Sequence, residues 1–272
     1  MQNRESLIDP CLSSIEVRQW AIRILDADTI EDKLFTPAHL TDHSPGPSMI
    51  WEEPRRPPEM GFKTKTKEER LPSFQEHHHP DKRAICLHRF AGHELLAVEI
   101  MAYALLRFPD APYSFRRGLI NTLKEEQIHV RLYMERLKEF GIRFGDLPLY
   151  KHFWHHTPYL TSAISYVSTM SLTFEMANLD FAPMYGQSFE RNGDQKSAAL
   201  MAQILKDEIS HVAFGWNWLK KLKQNELSEW DAWKTAISPL LTPKRARGFV
   251  IHEEHRRKAG ISPEWIDTLK KT

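Results

Sequence analysis

Glu94 is followed 32 residues later by Glu126-Gln-Ile-His129, and Glu175 is followed 33 residues later by Glu208-Ile-Ser-His211. Each unit is a lone glutamate and then Glu-x-x-His, and corresponding residues lie 81 or 82 positions apart. On a helix, a spacing of three puts carboxylate and imidazole on one face, one turn apart. Four carboxylates and two imidazoles on four helix-length segments make the ligand set of a binuclear metal site in a four-helix bundle. Two divalent ions would cancel the four negative charges. Without them, carboxylates sharing a core repel and some protonate. Oxygen and nitrogen donors with no nearby thiolate suit iron, manganese or a mixed pair better than structural zinc. Iron in such a site binds O2 and oxidises a substrate. Single Glu-x-x-His pairs are common on helix surfaces; two, each preceded by a matched glutamate, are not readily accidental.

The helices that would carry these residues can be read from periodicity and punctuation. A helix over 84–107 is nearly all apolar from Leu95 to Leu106, so burial on most sides is expected. Pro109-Asp-Ala-Pro112 ends it, and a second helix over 113–140 stops at Gly141. A third begins near Pro158 and carries Glu175, with a kink or break expected at Pro183 and Gly186. Asn192-Gly193 is a turn signal, and a fourth helix spans 194–222. Glu94 and Glu126 each lie 16 residues from the first turn, centred at Asp110; Glu175 and Glu208 lie 17 and 16 from the second, centred at Asn192. Equal distances from a turn put the carboxylates level in an antiparallel hairpin. For both half-sites to face inward, the second and third helices must run the same way. The connection over 141–157 reaches roughly 56 Å when extended, long enough for that crossover.

The fold class expected is all-α. It comprises an N-terminal helix and Pro-rich arm (1–80), a four-helix bundle (81–225) and a helical extension of two or three short helices (226–272). In the first helix, over 13–26, Ser13 and Glu16 have capping-box spacing ahead of an apolar stripe from Val17 to Leu25. Eight of the 17 prolines fall between Pro37 and Pro80, which excludes regular helix or central strand there. An arm packed on the core through Met49, Ile50 and Trp51 fits, as does a flexible linker. Charge is nearly balanced, at 37 Lys+Arg against 36 Asp+Glu, so composition does not suggest a polyanion binder. Cys11 and Cys86 are too few for a disulfide framework and fit a reducing cytoplasm. Neither a signal peptide nor an 18-residue apolar run is evident, so no membrane association is expected.

Other residues compete for roles. Glu99 sits in the same apolar run as Glu94 but about 7.5 Å out of level; a buried acid beside the ligands or along a channel is the preferred reading. His93 and Glu125 adjoin ligands but face other sides of their helices, and read as groups behind the ligands or on the surface. Tyr103, Tyr133 and Tyr185 are candidates for hydrogen-bonding or redox groups near the metals, against the plainer reading of core tyrosines. His77-His78-His79 cannot converge on one ion and reads as a solvated loop. His252-Glu-Glu-His255 lacks a matching half-site. The basic cluster Lys244, Arg245, Arg247, Arg256, Arg257 and Lys258 reads as a solvated face, with RNA contact the minor alternative.

The stretches HELLAVEIMAYALLRFPDAP, KEEQIHVRLYMERLKEFGIRFGDLP, FEMANLDFAP and KDEISHVAFGWNWL, with the ending EEHRRKAGISPEWIDTL, resemble the ferritin-like di-iron carboxylate superfamily. They most resemble a bacterial ferritin-like domain family of unknown function. The resemblance implies metal ligands at Glu94, Glu126, His129, Glu175, Glu208 and His211. In that pattern Glu126 and Glu208 lie between two ions, Glu94 and Glu175 are terminal, and each histidine binds one ion. A bacterial tRNA hydroxylase is a more distant relative and a precedent for hydroxylation.

Three functions are therefore expected to compete. The first is an O2- or peroxide-dependent oxidoreductase with two iron ions, or a mixed Mn/Fe pair. The second is a metal-storing protein, for which a monomer or dimer, the state favoured here, would be too small. The third is a metal-free helical interaction module. No flavin, haem or nicotinamide motif occurs, so an oxygenase would need a separate electron donor.

Overall fold

The computed structural model describes residues 14–64 and 70–272. Among these the regular structure is helical apart from a two-residue parallel strand pair, β1 (Ile15–Glu16) with β2 (Leu40–Thr41), and a bridge between Phe62 and Leu149. No helix among the described residues is long and apolar enough to cross a membrane.

Helix α1 (Val17–Asp26) buries the expected stripe, Val17, Trp20, Ala21, Ile24 and Leu25, against the core. Its start differs from the sequence expectation. Ser13 and Cys11 lie outside the described residues, and Glu16 precedes the helix instead of closing a capping box. The Glu16 carboxylate instead accepts from the Thr41 hydroxyl at 2.7 Å and from the backbone N–H groups of His43 and Ser44 at 3.1 Å. A long-range contact has displaced the local cap. The short helix α2 (Ile30–Lys33) is capped by the Thr29 side chain.

The described parts of the Pro-rich stretch lie on the core. Its backbone N–H groups reach helical and loop carbonyls: Met49 to Leu106 at 3.0 Å, Arg55 to Leu25 at 2.8 Å and Lys63 to Leu149 at 2.8 Å. Met49 and Trp51 are half-buried, but Ile50 is 75% exposed and anchors nothing. In an extended chain, neighbours point to opposite sides.

Four long helical segments follow. Helix α3 (Pro80–Arg107) starts four residues earlier than expected, because Pro80 takes the first helical position, where its missing N–H costs nothing. Helix α4 (Tyr113–Lys138) ends where Gly141 takes φ +72°, a left-handed conformation that favours glycine. After the crossing segment come α5 (Ala163–Thr169), a π turn (Met170–Glu175) and α6 (Met176–Arg191), then α7 (Gln195–Leu222). Helices α3 and α4 form one hairpin, α6 and α7 the other, and α7 also packs on α4, α5 and the π turn. The extension holds α8 (Glu229–Ala236), α9 (Glu253–Lys258) and α10 (Pro263–Lys270).

The break expected at Pro183 and Gly186 does not occur, and α6 runs through both. Proline frees the carbonyl four residues earlier, which is that of Leu179, and the His255 ring Nδ1 takes this carbonyl at 3.0 Å. Gly186 faces α7, where an added Cβ would sit 3.3 Å from the Met201 Cβ. The irregularity lies about two turns earlier, in the π turn. Its widened backbone is held by Thr173 Oγ1 donating to the Ser168 carbonyl at 2.7 Å and Trp233 Nε1 donating to the same carbonyl at 3.1 Å. Single π turns occur often at functional sites, and Glu175 is the last residue of this one. Helix α7 approaches it closely at Gly215, where a Cβ would come within 2.3 Å of the Ser171 Cβ.

Candidate metal centre

Glu94 on α3, Glu126 and His129 on α4, Glu175 at the end of the π turn, and Glu208 and His211 on α7 are all buried. Five of them form two overlapping triads. One ligand atom each from Glu94, Glu126 and His129 lies within 4.8 Å of the others, and the same holds for Glu126, Glu175 and His211. Glu126 is common to both. Its Oε2 is 3.2 Å from His129 Nδ1 and its Oε1 is 3.1 Å from His211 Nδ1. Glu94 Oε2 lies 3.8 Å from His129 Nδ1. Glu208 borders the cluster through Oε2, 3.7 Å from His211 Nδ1, while its Oε1 accepts from Asn178 Nδ2 at 2.9 Å.

The far side of each imidazole is held across the interface between α4 and α7. His129 Nε2 meets Asp207 Oδ2 at 3.2 Å, and His211 Nε2 meets Glu125 Oε2 at 2.8 Å. Each acid immediately precedes the Glu-x-x-His glutamate of the opposite helix. A carboxylate behind an imidazole fixes its orientation and leaves the other nitrogen as the ligand atom; here that atom is Nδ1, facing the cluster. Glu125, which adjoins a ligand in sequence, is thus part of the site. Asp207 is an addition that sequence reasoning missed. Its signal was present, since Glu125 and Asp207 are 82 positions apart, the same offset as Glu126 and Glu208.

Among the described residues, buried side-chain atoms without a well-directed hydrogen bond include Ser168 Oγ, Arg256 Nε and Trp265 Nε1 elsewhere, but five gather in this one cluster: Glu126 Oε1, both Glu175 oxygens, Glu208 Oε2 and His211 Nδ1. Glu126 Oε1 and His211 Nδ1 stand 3.1 Å apart as a close charged contact rather than an aligned hydrogen bond. Protonation reflects the same crowding. Burial and repulsion from Glu126 push Glu94 well above the usual carboxylate range. Burial, with repulsion from Glu208 and Glu126, pushes Glu175 up to about 8. Burial opposes charge on His129, but Glu126 and Glu94 outweigh it and raise the ring to about 11. His211 is raised in the same way by Glu125, Glu126 and Glu208, against burial. Glu126 is held low, against its burial, by the two imidazoles. Protons thus supply the positive charge that this set of donors demands. A donor set of this kind fits a pair of divalent cations, which would replace those protons.

The remaining candidates separate into near and far. The Tyr133 hydroxyl points to Met201 Sδ at 3.6 Å, and burial and the charges of Glu94, Glu208 and Glu126 raise its pKa. Tyr133, Tyr185 and Glu94 line a small cavity of about 30 Å³ beside the cluster. Tyr103 instead packs edge-on against Trp154 at 5.8 Å. Glu99 is neither a ligand nor a channel acid. Arg56 grips both its oxygens, at 3.0 and 2.5 Å, and Lys33 Nζ lies 3.0 Å away, so it fastens the N-terminal arm. Gln127, inside the first Glu-x-x-His, also turns away from the cluster, to the Lys33 carbonyl at 2.8 Å and the Thr36 hydroxyl at 2.6 Å. Ile128, inside the first Glu-x-x-His, is 51% exposed.

The other histidine motifs are structural, and the basic cluster divides. His77 is buried, with Nδ1 against Ser188 Oγ at 2.8 Å, so only His78 and His79 of that run are solvated. His252 and His255 stack beside Asp180 and Leu179. Arg256 is fully buried and bidentate to Asp180 at 2.7 and 2.8 Å, so the tail cluster is not one solvated face.

A family model described as "Protein of unknown function (DUF455)" matches residues 16–267. The chain belongs to this family. The match spans every residue of the cluster. An uncharacterized protein of Haemophilus influenzae (strain ATCC 51907 / DSM 11121 / KW20 / Rd) is 27% identical over 202 residues, which covers 70% of this chain and 69% of that relative. No solved structure matches the chain.

Proposed function

We propose that the cluster around Glu126 holds two divalent metal ions, iron or a mixed Mn/Fe pair, in a ferritin-like four-helix bundle. The protein would use O2 or peroxide to oxidise an organic substrate, with electrons from a separate donor. The observation that supports this reading most is the convergence, in one cluster, of five buried ligand-type atoms that make no well-directed hydrogen bond. Each unpaired buried polar atom costs about 1–3 kcal/mol, and their convergence from three segments is what a cation relieves. The triads sharing Glu126 give a place for each of two ions. Oxygen and imidazole donors favour iron or manganese, and ions of this type supply the electron transfer and O2 chemistry when bound.

The chain's own residues do the positioning. Glu126 sets one oxygen toward each imidazole, Asp207 and Glu125 orient those imidazoles, and Asn178 holds one oxygen of Glu208. Glu94 and Glu175 take up protons when no cation is present and release them to one. The π turn, clamped by Trp233, sets the height of Glu175 on its helix. Phe90, Tyr133 and Tyr185 leave only a small cavity on the Glu94 side, which limits water there.

The test is to load chelator-treated protein with Fe(II) under anaerobic conditions and then mix it with O2 in a stopped-flow instrument. The expected result is oxidation of about two Fe(II) per chain in a phase that Glu126→Ala eliminates, with iron in that variant below one per chain. Oxidation no faster than that of free Fe(II), or unaltered in the variant, would reject the reading.

A further inference from the structure

The small cavity beside Glu94 shares a wall with a larger one. Phe90, His93, Asn178, Phe181 and Tyr185 line both. The outer cavity has a volume of about 430 Å³, within the size range of small-molecule sites. Its inner walls are aromatic: Phe90 meets Tyr185 edge-on at 4.7 Å, and Phe181 stands beside them. Its rim carries Lys244, Arg245 and Arg247, and no carboxylate lines it among the described residues.

Arg245 is the distinctive group. The four arginines buried outright among the described residues each hold a carboxylate: Arg56 with Glu99 at 2.5 Å, Arg83 with Asp194 at 2.9 Å, Arg116 with Asp42 at 2.7 Å and Arg256 with Asp180 at 2.7 Å. Arg245 is half-buried, and its guanidinium has no carboxylate among the described residues. Its contact is the face of Phe174, 4.9 Å away in the π turn. Burial alone disfavours its charge. A cation kept in a partly dry site without a counter-ion is costly, and an arginine fork matches carboxylate, phosphate or sulfonate oxygens. The tail's other cations do not extend this into a long basic surface, since Arg256 and Arg257 are committed to Asp180 and Glu253.

We infer that the outer cavity receives a small organic oxyanion with a flat apolar body. Its anionic group meets Arg245 and Lys244 at the rim, and its ring lies between Phe90, Phe181 and Tyr185, pointing toward Glu94. The inference rests on the metal reading for the direction in which the substrate reacts, but the anion site itself is separable from it. Carboxylate and phosphate share this chemistry, and the cavity selects the combination of anion and ring.

Two probes isolate that combination: 1-anilinonaphthalene-8-sulfonate and N-phenyl-1-naphthylamine, which share one apolar body and differ by the sulfonate. Fluorescence titrations use the folded protein both as purified and after iron loading. The sulfonate is expected to bind once per chain, at least tenfold tighter than the neutral probe. Arg245→Gln should bring the sulfonate down to the neutral probe's affinity and leave the neutral probe unchanged, with Arg245→Lys recovering part of the difference. Should Arg245→Gln not fold, Lys244→Glu at the exposed rim reads the same preference and should reduce it several-fold. Equal affinities for the two probes, or a preference indifferent to both substitutions, would overturn the inference. Iron content is measured on the same samples. Probe discrimination without bound iron would leave the anion site standing and reject the metal reading; two irons per chain without discrimination would do the reverse.

Discussion

Glu175→Gln separates the cost of the cluster from its use. Both Glu175 oxygens are buried without partners, and burial with its acidic neighbours raises the folded-state pKa from 4.5 to about 8. The folded protein therefore favours the protonated acid. That contribution to stability is complete below pH 4.5 and is lost as pH climbs through 8. At pH 7.5 the loss approaches three pH units, or about 4 kcal/mol at 1.36 kcal/mol per unit. Glutamine keeps the shape and removes the charge, but it leaves an amide poorly paired at a cost of about 1–3 kcal/mol. The net gain for metal-free protein at pH 7.5 is roughly 1–3 kcal/mol, which raises Tm by about 2–5 °C. The assay is a series of thermal melts on chelator-treated protein from pH 5 to 8. The variant should melt higher at pH 7.5, and its stability should fall less steeply with pH. It should also lose most of the stabilisation that iron gives the parent, because ligand-induced stabilisation follows affinity. A variant that melts lower than the parent at pH 7.5 with an unchanged pH slope would refute the assigned crowding.

Three further outcomes are expected. Asp207→Asn and Glu125→Gln should each weaken iron binding about 10–100-fold in competition with a chromophoric chelator, because each removes the carboxylate behind an imidazole; unchanged affinity in both would show that these contacts do not orient ligands. Glu99→Gln should cost about 3–5 kcal/mol in urea unfolding, since Lys33 and Arg56 would remain buried without their counter-charge, and proteolysis within 37–64 should quicken; a cost under about 1 kcal/mol would argue against the anchor. His88 is pushed down to about 4 by burial, and its Nε2 accepts from the Gly145 and Leu147 N–H groups at 3.0 and 3.3 Å. Because the unfolded ring binds a proton near pH 6.5 and the folded ring does not, the His88 contribution to stability should hold above that pH and fall toward pH 4 by up to about 1.4 kcal/mol per unit. His88→Gln should remove that contribution and leave those of His77, which burial and Arg83 also lower, and of His156, which burial pushes down to about 4.

Local spacing carried the helices and the six residues of the repeat, because helix faces follow directly from the 3.6-residue period. Partners across helices were less legible. Glu125 and Asp207 look like ordinary surface acids until α4 and α7 are seen to face each other at that height. The π turn had no glycine or proline to mark it, only the hydroxyl residues Ser168, Thr169, Ser171 and Thr173, two of which now bind the tail or the turn itself. Pro183 read as a kink or break because its freed carbonyl could not be seen meeting His255, 76 residues later. Glu99 read as a group near the ligands because its partners, Lys33 and Arg56, lie in a stretch whose packing no periodicity announces. In each case the deciding contact is remote in sequence, and local pattern has no access to it.

The most direct test of the metal reading is anomalous scattering at the iron edge from crystals of anaerobically loaded protein. Two peaks per chain are expected on either side of Glu126, one within ligand reach of Glu94 and His129 and the other within reach of Glu175 and His211. Iron below one per chain, or peaks that avoid Glu126, would contradict it.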